Sequence, residues 1–179
     1  MTETFHNLSI DLHNLPQVKN SEFHPIEKQY LKVTLISQAL LFLALIITAV
    51  LIILFNDDIN KGLFEFGVSL GPLLLIWGLS AWFSIKAFPE KKYSLREKDI
   101  IYTKGLLWRK RTSIPLTRIQ HAEIKQGPID RIFGLHSLKV FTAGGDSSDL
   151  SIPGLKEEHA AKIKEFIMGK TSLDEFDVQ

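Results

Sequence analysis

The chain contains no cysteine, which excludes a disulfide framework, a thiolate zinc site and a cysteine nucleophile. Its histidines, His6, His13, His24, His121, His136 and His159, never fall four residues apart. The helical His-Glu-x-x-His zinc motif is therefore missing as well. No glycine-rich loop leads into a lysine that would cradle phosphate. Ser147-Ser148, set between Asp146 and Asp149, lack the ligand spacing of a calcium loop and read as a solvated hairpin turn. No catalytic, metal-binding or cofactor-binding residue is assigned, and the expectation is a protein without enzymatic activity or cofactor. Net charge is also scarce, at +1 for 179 residues, but that average hides how unevenly charge is distributed.

Charge is missing altogether from two long stretches, Val33 to Phe55 and Phe66 to Ile85. A hydrocarbon layer about 30 Å thick takes ~20 apolar helical residues to cross. Both stretches meet that length, and Leu, Ile, Val, Ala and Phe dominate them. A chain this small cannot bury two such helices in a soluble core, and the first run starts too late and is too long for a signal peptide. The pattern predicts transmembrane helices at 33–55 and 66–88, joined by a short extracytoplasmic loop at 56–65, where Asp57, Asp58, Asn60 and Gly62 favour a turn. Lys28 and Lys32 precede the first span and Lys86, Lys91 and Lys92 follow the second, whereas the loop holds only Lys61. The positive-inside rule then puts both termini in the cytoplasm. Neither span carries an ionisable residue, which argues against a proton relay, an ion path or a transporter. Gly67 and Gly71 form a Gly-xxx-Gly pair suited to close helix packing. Pro72 follows directly and predicts a kink. Tyr30, Trp82 and Phe83 lie near the cytoplasmic boundary, where aromatic rings favour the headgroup layer.

Residues 1–32 form an N-terminal cytoplasmic arm and juxtamembrane segment. Its first 24 residues fit either a disordered arm or a strand that docks elsewhere, and His24-Pro25 reads as the approach to the first helix. Beyond Pro89 the pattern changes to short β-branched and aromatic runs separated by turn residues. Strands are predicted near Tyr93–Arg96, Ile100–Lys104, Leu107–Ile114, Ile119–Lys125, Ser137–Thr142 and Ser148–Ile152. A helical turn is expected between Gly127-Pro128 and Gly134. A closing helix at Lys156–Met168 carries an apolar stripe of Ala160, Ile163, Phe166 and Ile167, with Gly169 as its stop. Gly105, Gly127, Gly134 and Gly154 read as positive-φ or close-packing positions. The domain so defined spans 89–169, and 170–179 form an acidic tail. The fold class is α+β: a two-helix transmembrane hairpin, then a small β-barrel or sandwich with a C-terminal capping helix.

The order of motifs sharpens this. Tyr93-Ser-Leu-Arg96-Glu-Lys-Asp99-Ile-Ile-Tyr102 leads to Lys104-Gly105-Leu-Leu-Trp108. Ser113-Ile-Pro115-Leu-Thr-Arg118-Ile-Gln120-His121 follows, then Gln126-Gly127-Pro128-Ile-Asp-Arg131-Ile-Phe-Gly134-Leu135. Thr142-Ala-Gly144-Gly145 and Ile152-Pro153-Gly154-Leu155 complete the series. Over roughly residues 24–168 this resembles the YdbS-like bacterial PH-domain (pleckstrin-homology-like) membrane proteins. The resemblance implies a PH-like domain in a bacterial plasma-membrane protein and supplies no settled biochemical activity; the fold hosts many binding roles.

The basic stretch from Lys86 to Lys125 holds eleven cations against four anions, directly beside the predicted membrane. Anionic lipids attract such residues by ~1 kcal/mol each near the surface. Topological retention and surface solubility account for much of the stretch. Lys86, Lys91, Lys92, Arg96 and Lys98 are the candidate headgroup contacts. Treated as a strand, Arg109-Lys110-Arg111 would alternate faces and could not serve one pocket. Arg118, Arg131, Gln120 and Gln126 read as residues that pin loops and strand ends. The leading expectation is a tethered interaction module that contacts a protein partner or another copy of itself, through an exposed β edge or the surface beside the closing helix. The alternative is a module that binds anionic lipid headgroups. Membrane lipids are partners in either case, and nucleic acid is not, because the patch is modest and acidic residues lie elsewhere in the domain.

Overall fold

A computed structural model describes residues 22–56, 62–143 and 149–176, without the side chains of residues 63 and 171–176. Two long helices come first. Helix α1, Gln29–Phe55, has 27 residues, and α2, Leu63–Ala87, has 25. At 1.5 Å per residue these are about 40 and 37 Å long, enough to cross a hydrocarbon layer. They pack against each other, yet large apolar side chains along both stand open, among them Leu41 at 59% and Leu75 at 65% exposure. An aqueous surface of that kind would be strongly unfavourable; an acyl-chain surround satisfies it.

Several polar side chains of the pair find partners within it, as a water-poor setting favours. Thr34 and Ser37 donate to the carbonyls of Tyr30 and Val33, one turn back, at 2.9 and 2.8 Å. Gln38 Nε2 donates to Ser84 Oγ at 2.8 Å and so links the two helices. Helix α1 begins four residues before the uncharged run, because nothing in Gln29–Lys32 breaks a helix, and α2 continues through Pro72. A Cβ built at Gly67 or Gly71 would meet nothing within 4 Å. The Gly-xxx-Gly pair therefore makes no close contact with α1 and lies on an open face of α2. Residues 57–61 of the linker, the arm before residue 22, residues 144–148 with the expected hairpin turn, and the last three residues of the tail lie outside the described residues.

A single 3-10 turn, Phe88–Glu90, joins α2 to the sheet domain. Four antiparallel strands form the first sheet, in the order β1–β2–β3–β4: His24–Pro25, Lys92–Leu95, Asp99–Lys104 and Lys110–Pro115. His24-Pro25 is thus a two-residue edge strand on β2, with His24 opposite Tyr93, rather than part of the approach to α1. Three antiparallel strands form the second sheet: β5 Ile119–Lys125, β6 Leu135–Thr142 and β7 Leu150–Lys156. A short helix, α3 Pro128–Ile132, connects β5 to β6, and α4, Glu157–Phe176, follows β7.

Alternation along the strands builds the core. Tyr93, Ile100, Tyr102 and Ile114 from the first sheet meet Ala122, Leu138, Val140, Leu150 and Ile152 from the second. Ala160, Ile163 and Ile167, one stripe of α4, close it. Phe166, placed in that stripe by sequence, is at its exposed margin. Helix α4 runs past Gly169, so that glycine is not its stop. Asp149 Oδ2 accepts the amide and hydroxyl of Thr142, at 2.8 and 2.6 Å, and ties β6 to β7. Both bonds fall on one oxygen of the carboxylate, just before β7 begins.

Two backbone sites need glycine. Gly154 has φ +68°, and a Cβ there would lie 2.7 Å from Tyr30 Cβ, so β7 presses directly on the first turn of α1. The Glu27 amide also donates to the Gly154 carbonyl at 2.9 Å. Gly105 has φ +100°, and a Cβ would come 2.0 Å from the Trp108 carbonyl oxygen. Gly127, by contrast, has φ −78° and caps the start of α3; its place there follows from Pro128 opening the helix.

Candidate functional site

Strand β2 runs away from α2, β3 returns, and β4 runs away again. Lys92 pairs with Thr103, and Lys104 with Lys110. The start of β2, the end of β3 and the start of β4 are therefore gathered at the end of the domain nearest the helix pair. There they form a cleft of about 250 Å³ lined by Lys92, Lys104, Arg109, Lys110 and Arg111, with Phe23, Thr103 and Gly105 between them and Glu90 as its one acidic residue. Arg111 lies over the Phe23 ring at 5.6 Å from its centroid. Arg109 Nη2 is 3.9 Å from Glu90 Oε1, too long for a bidentate clamp. Thr103 Oγ1 is 3.3 and 3.2 Å from the carbonyl oxygens of Glu90 and Lys92, and pins the cleft to the exit of α2.

The expectation that Arg109, Lys110 and Arg111 alternate along one strand is corrected for Arg109. It assumed a strand from Leu107, but β4 begins at Lys110. Arg109 therefore belongs to the turn, where the two-residue alternation of a strand does not apply, while Lys110 and Arg111 open β4 and alternate; all three residues border the cleft. Lys91 lies just behind it, with Nζ 5.0 Å from the Tyr30 ring centroid. Burial first, and then neighbouring Lys104, push the Lys91 ammonium below the usual lysine value. Positive charge is thus crowded here, a condition that favours an anion.

The five candidate headgroup residues separate into two groups. Lys86 lies in the last turn of α2, and Lys91 and Lys92 open the domain, all at the helix-pair end. Arg96 and Lys98 are in the β2–β3 turn at the other end, a four-residue strand away, about 13 Å at strand rise. Arg96 is also engaged: its guanidinium forms a two-pronged ion pair with Asp99, and its amide donates to the Asp99 carbonyl at 2.9 Å. Ser113 Oγ adds a third donor to that carboxylate at 2.7 Å. The Arg96 bond, with Ser113 assisting, holds the Asp99 carboxyl below its usual value. Arg96 is a hairpin lock, because an acid three residues on is a nearer partner than any headgroup. Lys98 contributes its carbonyl, which accepts the Leu116 amide at 2.9 Å.

These features sit on a recognisable framework. A family model described as Bacterial PH domain matches residues 30–171. The chain belongs to that family. It is similar to the UPF0699 transmembrane protein YdbS of Bacillus subtilis, with 26% identity over 113 residues that cover 60% of this chain and 69% of the relative. Among solved structures it is similar to a DUF1696 family protein with a pleckstrin-homology domain from Shewanella loihica, at 19% identity and TM-score 0.36, covering 45% of this chain and 70% of that one. Within this bacterial PH domain, Gln126 Nε2 donates to the Leu135 carbonyl at 3.2 Å and ties a strand end, as expected from sequence. Arg118 and Arg131 are exposed. The cleft cations Lys104, Arg109, Lys110 and Arg111 were visible in sequence only as part of a basic stretch; the pairing of Lys104 with Lys110 is what gathers them.

Proposed function

We propose that this bacterial PH-domain protein is a non-enzymatic membrane module. Its helix pair crosses the plasma membrane twice, both termini are cytoplasmic, and its domain binds anionic lipid headgroups through the cleft at the helix-pair end. The observation that carries this reading is the convergence of Lys92, Lys104, Arg109, Lys110 and Arg111 on one concavity, joined to α2 by a single 3-10 turn. A tethered domain needs little intrinsic affinity, because the anchor already holds it at the surface. Contact with a protein partner or a second copy is the other reading. The cleft favours lipid because its cations complement a phosphate-rich surface and its position is beside the anchor.

The test uses the full chain in nanodiscs of mixed phosphatidylcholine and phosphatidylglycerol, with the lipids retained after detergent extraction identified by mass spectrometry. Wild type should enrich phosphatidylglycerol. The triple variant K104E/R109E/K110E should lose that enrichment, and K98E, at the other end of the domain, should keep it. Equal enrichment by wild type and the triple variant, or a stoichiometric protein partner lost with those charges, would defeat the lipid reading.

A further inference from the structure

Outside α1 and α2, the large apolar side chains exposed among the described residues are Leu107, Trp108, Ile132 and Phe166. Phe166 belongs to the margin of the α4 stripe. The other three occupy two tips. Leu107 and Trp108 are 66% and 86% exposed at the β3–β4 turn, and Ile132 is 78% exposed at the end of α3. Globular domains do expose single apolar side chains. What needs explaining here is where these stand.

Both tips lie beside the helix pair. The β3–β4 turn continues past Lys104 in the direction that leads from Lys92 back to α2. Leu107 and Trp108 form the outer part of that turn, beyond the Lys104–Lys110 pair on the α2 side of the domain. Helix α3 packs against α1, on the other flank of the anchor. Each tip joins apolar groups to cations: Leu107 and Trp108 precede Arg109-Lys110-Arg111, and Ile132 follows Arg131. That combination, a tryptophan or aliphatic residue with adjoining Arg and Lys, suits the boundary between headgroups and acyl chains. Gly105 holds the first tip in shape, since its φ of +100° lets the Trp108 carbonyl fold over it.

We propose that Leu107-Trp108 and Ile132 are two interfacial feet, which insert into the cytoplasmic headgroup layer on either side of the helix pair and fix the domain with its basic cleft against the lipid. The proposal rests on the membrane reading above, but insertion itself needs apolar depth rather than anionic charge, so the two can fail separately.

The absence of cysteine makes single-site labelling clean. L107C and I132C, each spin-labelled in the full chain with Trp108 retained, would be reconstituted in nanodiscs of phosphatidylcholine alone and with phosphatidylglycerol. T117C, in the exposed turn at the opposite end of β4, is the reference. Relaxation by oxygen relative to a water-soluble nickel chelate reports depth. The expected result is a severalfold higher oxygen-to-chelate ratio at positions 107 and 132 than at 117. If this holds in both lipid mixtures, the feet insert by apolar depth alone and the phosphatidylglycerol enrichment above decides the cleft separately; if it holds only with phosphatidylglycerol, the feet insert but depend on the cleft, and their independence is overturned. Chelate access at 107 and 132 equal to that at 117 in both mixtures overturns the feet. So does exclusion of both reagents together with spin–spin broadening in a fully labelled sample, which would place the tips in a contact between copies.

Discussion

Gly154→Ala should loosen the attachment of the domain to its anchor. Two costs combine at this position. The backbone is left-handed, at φ +68°, which disfavours an L side chain by about 1–2 kcal/mol. The added methyl would also sit 2.7 and 2.8 Å from Cβ and Cγ of Tyr30, an overlap of the kind that costs about 1–3 kcal/mol in a packed core. Together they amount to about 2–5 kcal/mol. Gly134 separates the two, because its φ is +62° but a Cβ there meets nothing within 4 Å. Gly134→Ala should therefore show only the conformational part, about 1–2 kcal/mol. Hydrogen exchange across Leu135–Thr142 in nanodiscs reads the opening free energy of the core strands. Gly154→Ala should lower it by clearly more than Gly134→Ala. Equal losses would refute the claim that β7 is pressed against α1, and with it the fixed orientation of the domain.

Three further outcomes follow from the same geometry. Asp99→Ala should cost about 2 kcal/mol, since it removes a carboxylate that accepts charged and hydroxyl bonds. The Asp99 carboxyl titrates below its ordinary 3.8 in the folded chain, so its contribution is complete above that value and fades as pH falls through the lowered one. Stability of Asp99→Ala should accordingly vary less than wild type below about pH 4, as followed by urea unfolding across pH; parallel curves would deny the Arg96–Asp99 lock. Gly105→Ala should rearrange the β3–β4 turn while sparing the core, because its methyl would overlap a backbone oxygen that has no rotamer to escape into. Faster exchange at Lys104–Lys110 with unchanged exchange at Leu135–Thr142 is the expected pattern, and unchanged exchange at both would show that the turn does not need its glycine.

Much of the architecture was legible in the sequence because its signals are local. Uncharged runs of membrane length, β-branched runs between turns, and a 3.6-period stripe each report on their own segment. Gly105, Gly134 and Gly154 were also readable, as positions whose neighbours demand a turn or a close approach. What stayed hidden depends on partners distant in sequence. His24-Pro25 has no periodicity of its own and is a strand only because Lys92-Tyr93 lies beside it. Gly169 looks like a helix stop, yet a glycine costs a helix only ~1 kcal/mol, and α4 carries through it. At the candidate site, composition located the basic stretch but not which cations converge. Arg96 was drawn away by Asp99, and Arg109 sits in a turn because β4 starts at Lys110, three residues after the expected Leu107, so strand alternation does not govern it.

The central claim is that the domain rests cleft-down on an anionic leaflet. Hydrogen exchange of the full chain, compared between phosphatidylglycerol-containing and pure phosphatidylcholine nanodiscs, tests it most directly. The account predicts slower exchange at the Gly105–Arg109 turn in the anionic discs, reversed by raising the salt concentration, with no change at the Arg96–Lys98 turn on the opposite end. Identical exchange at Gly105–Arg109 in both lipids, or protection that appears at Arg96–Lys98 instead, would contradict it.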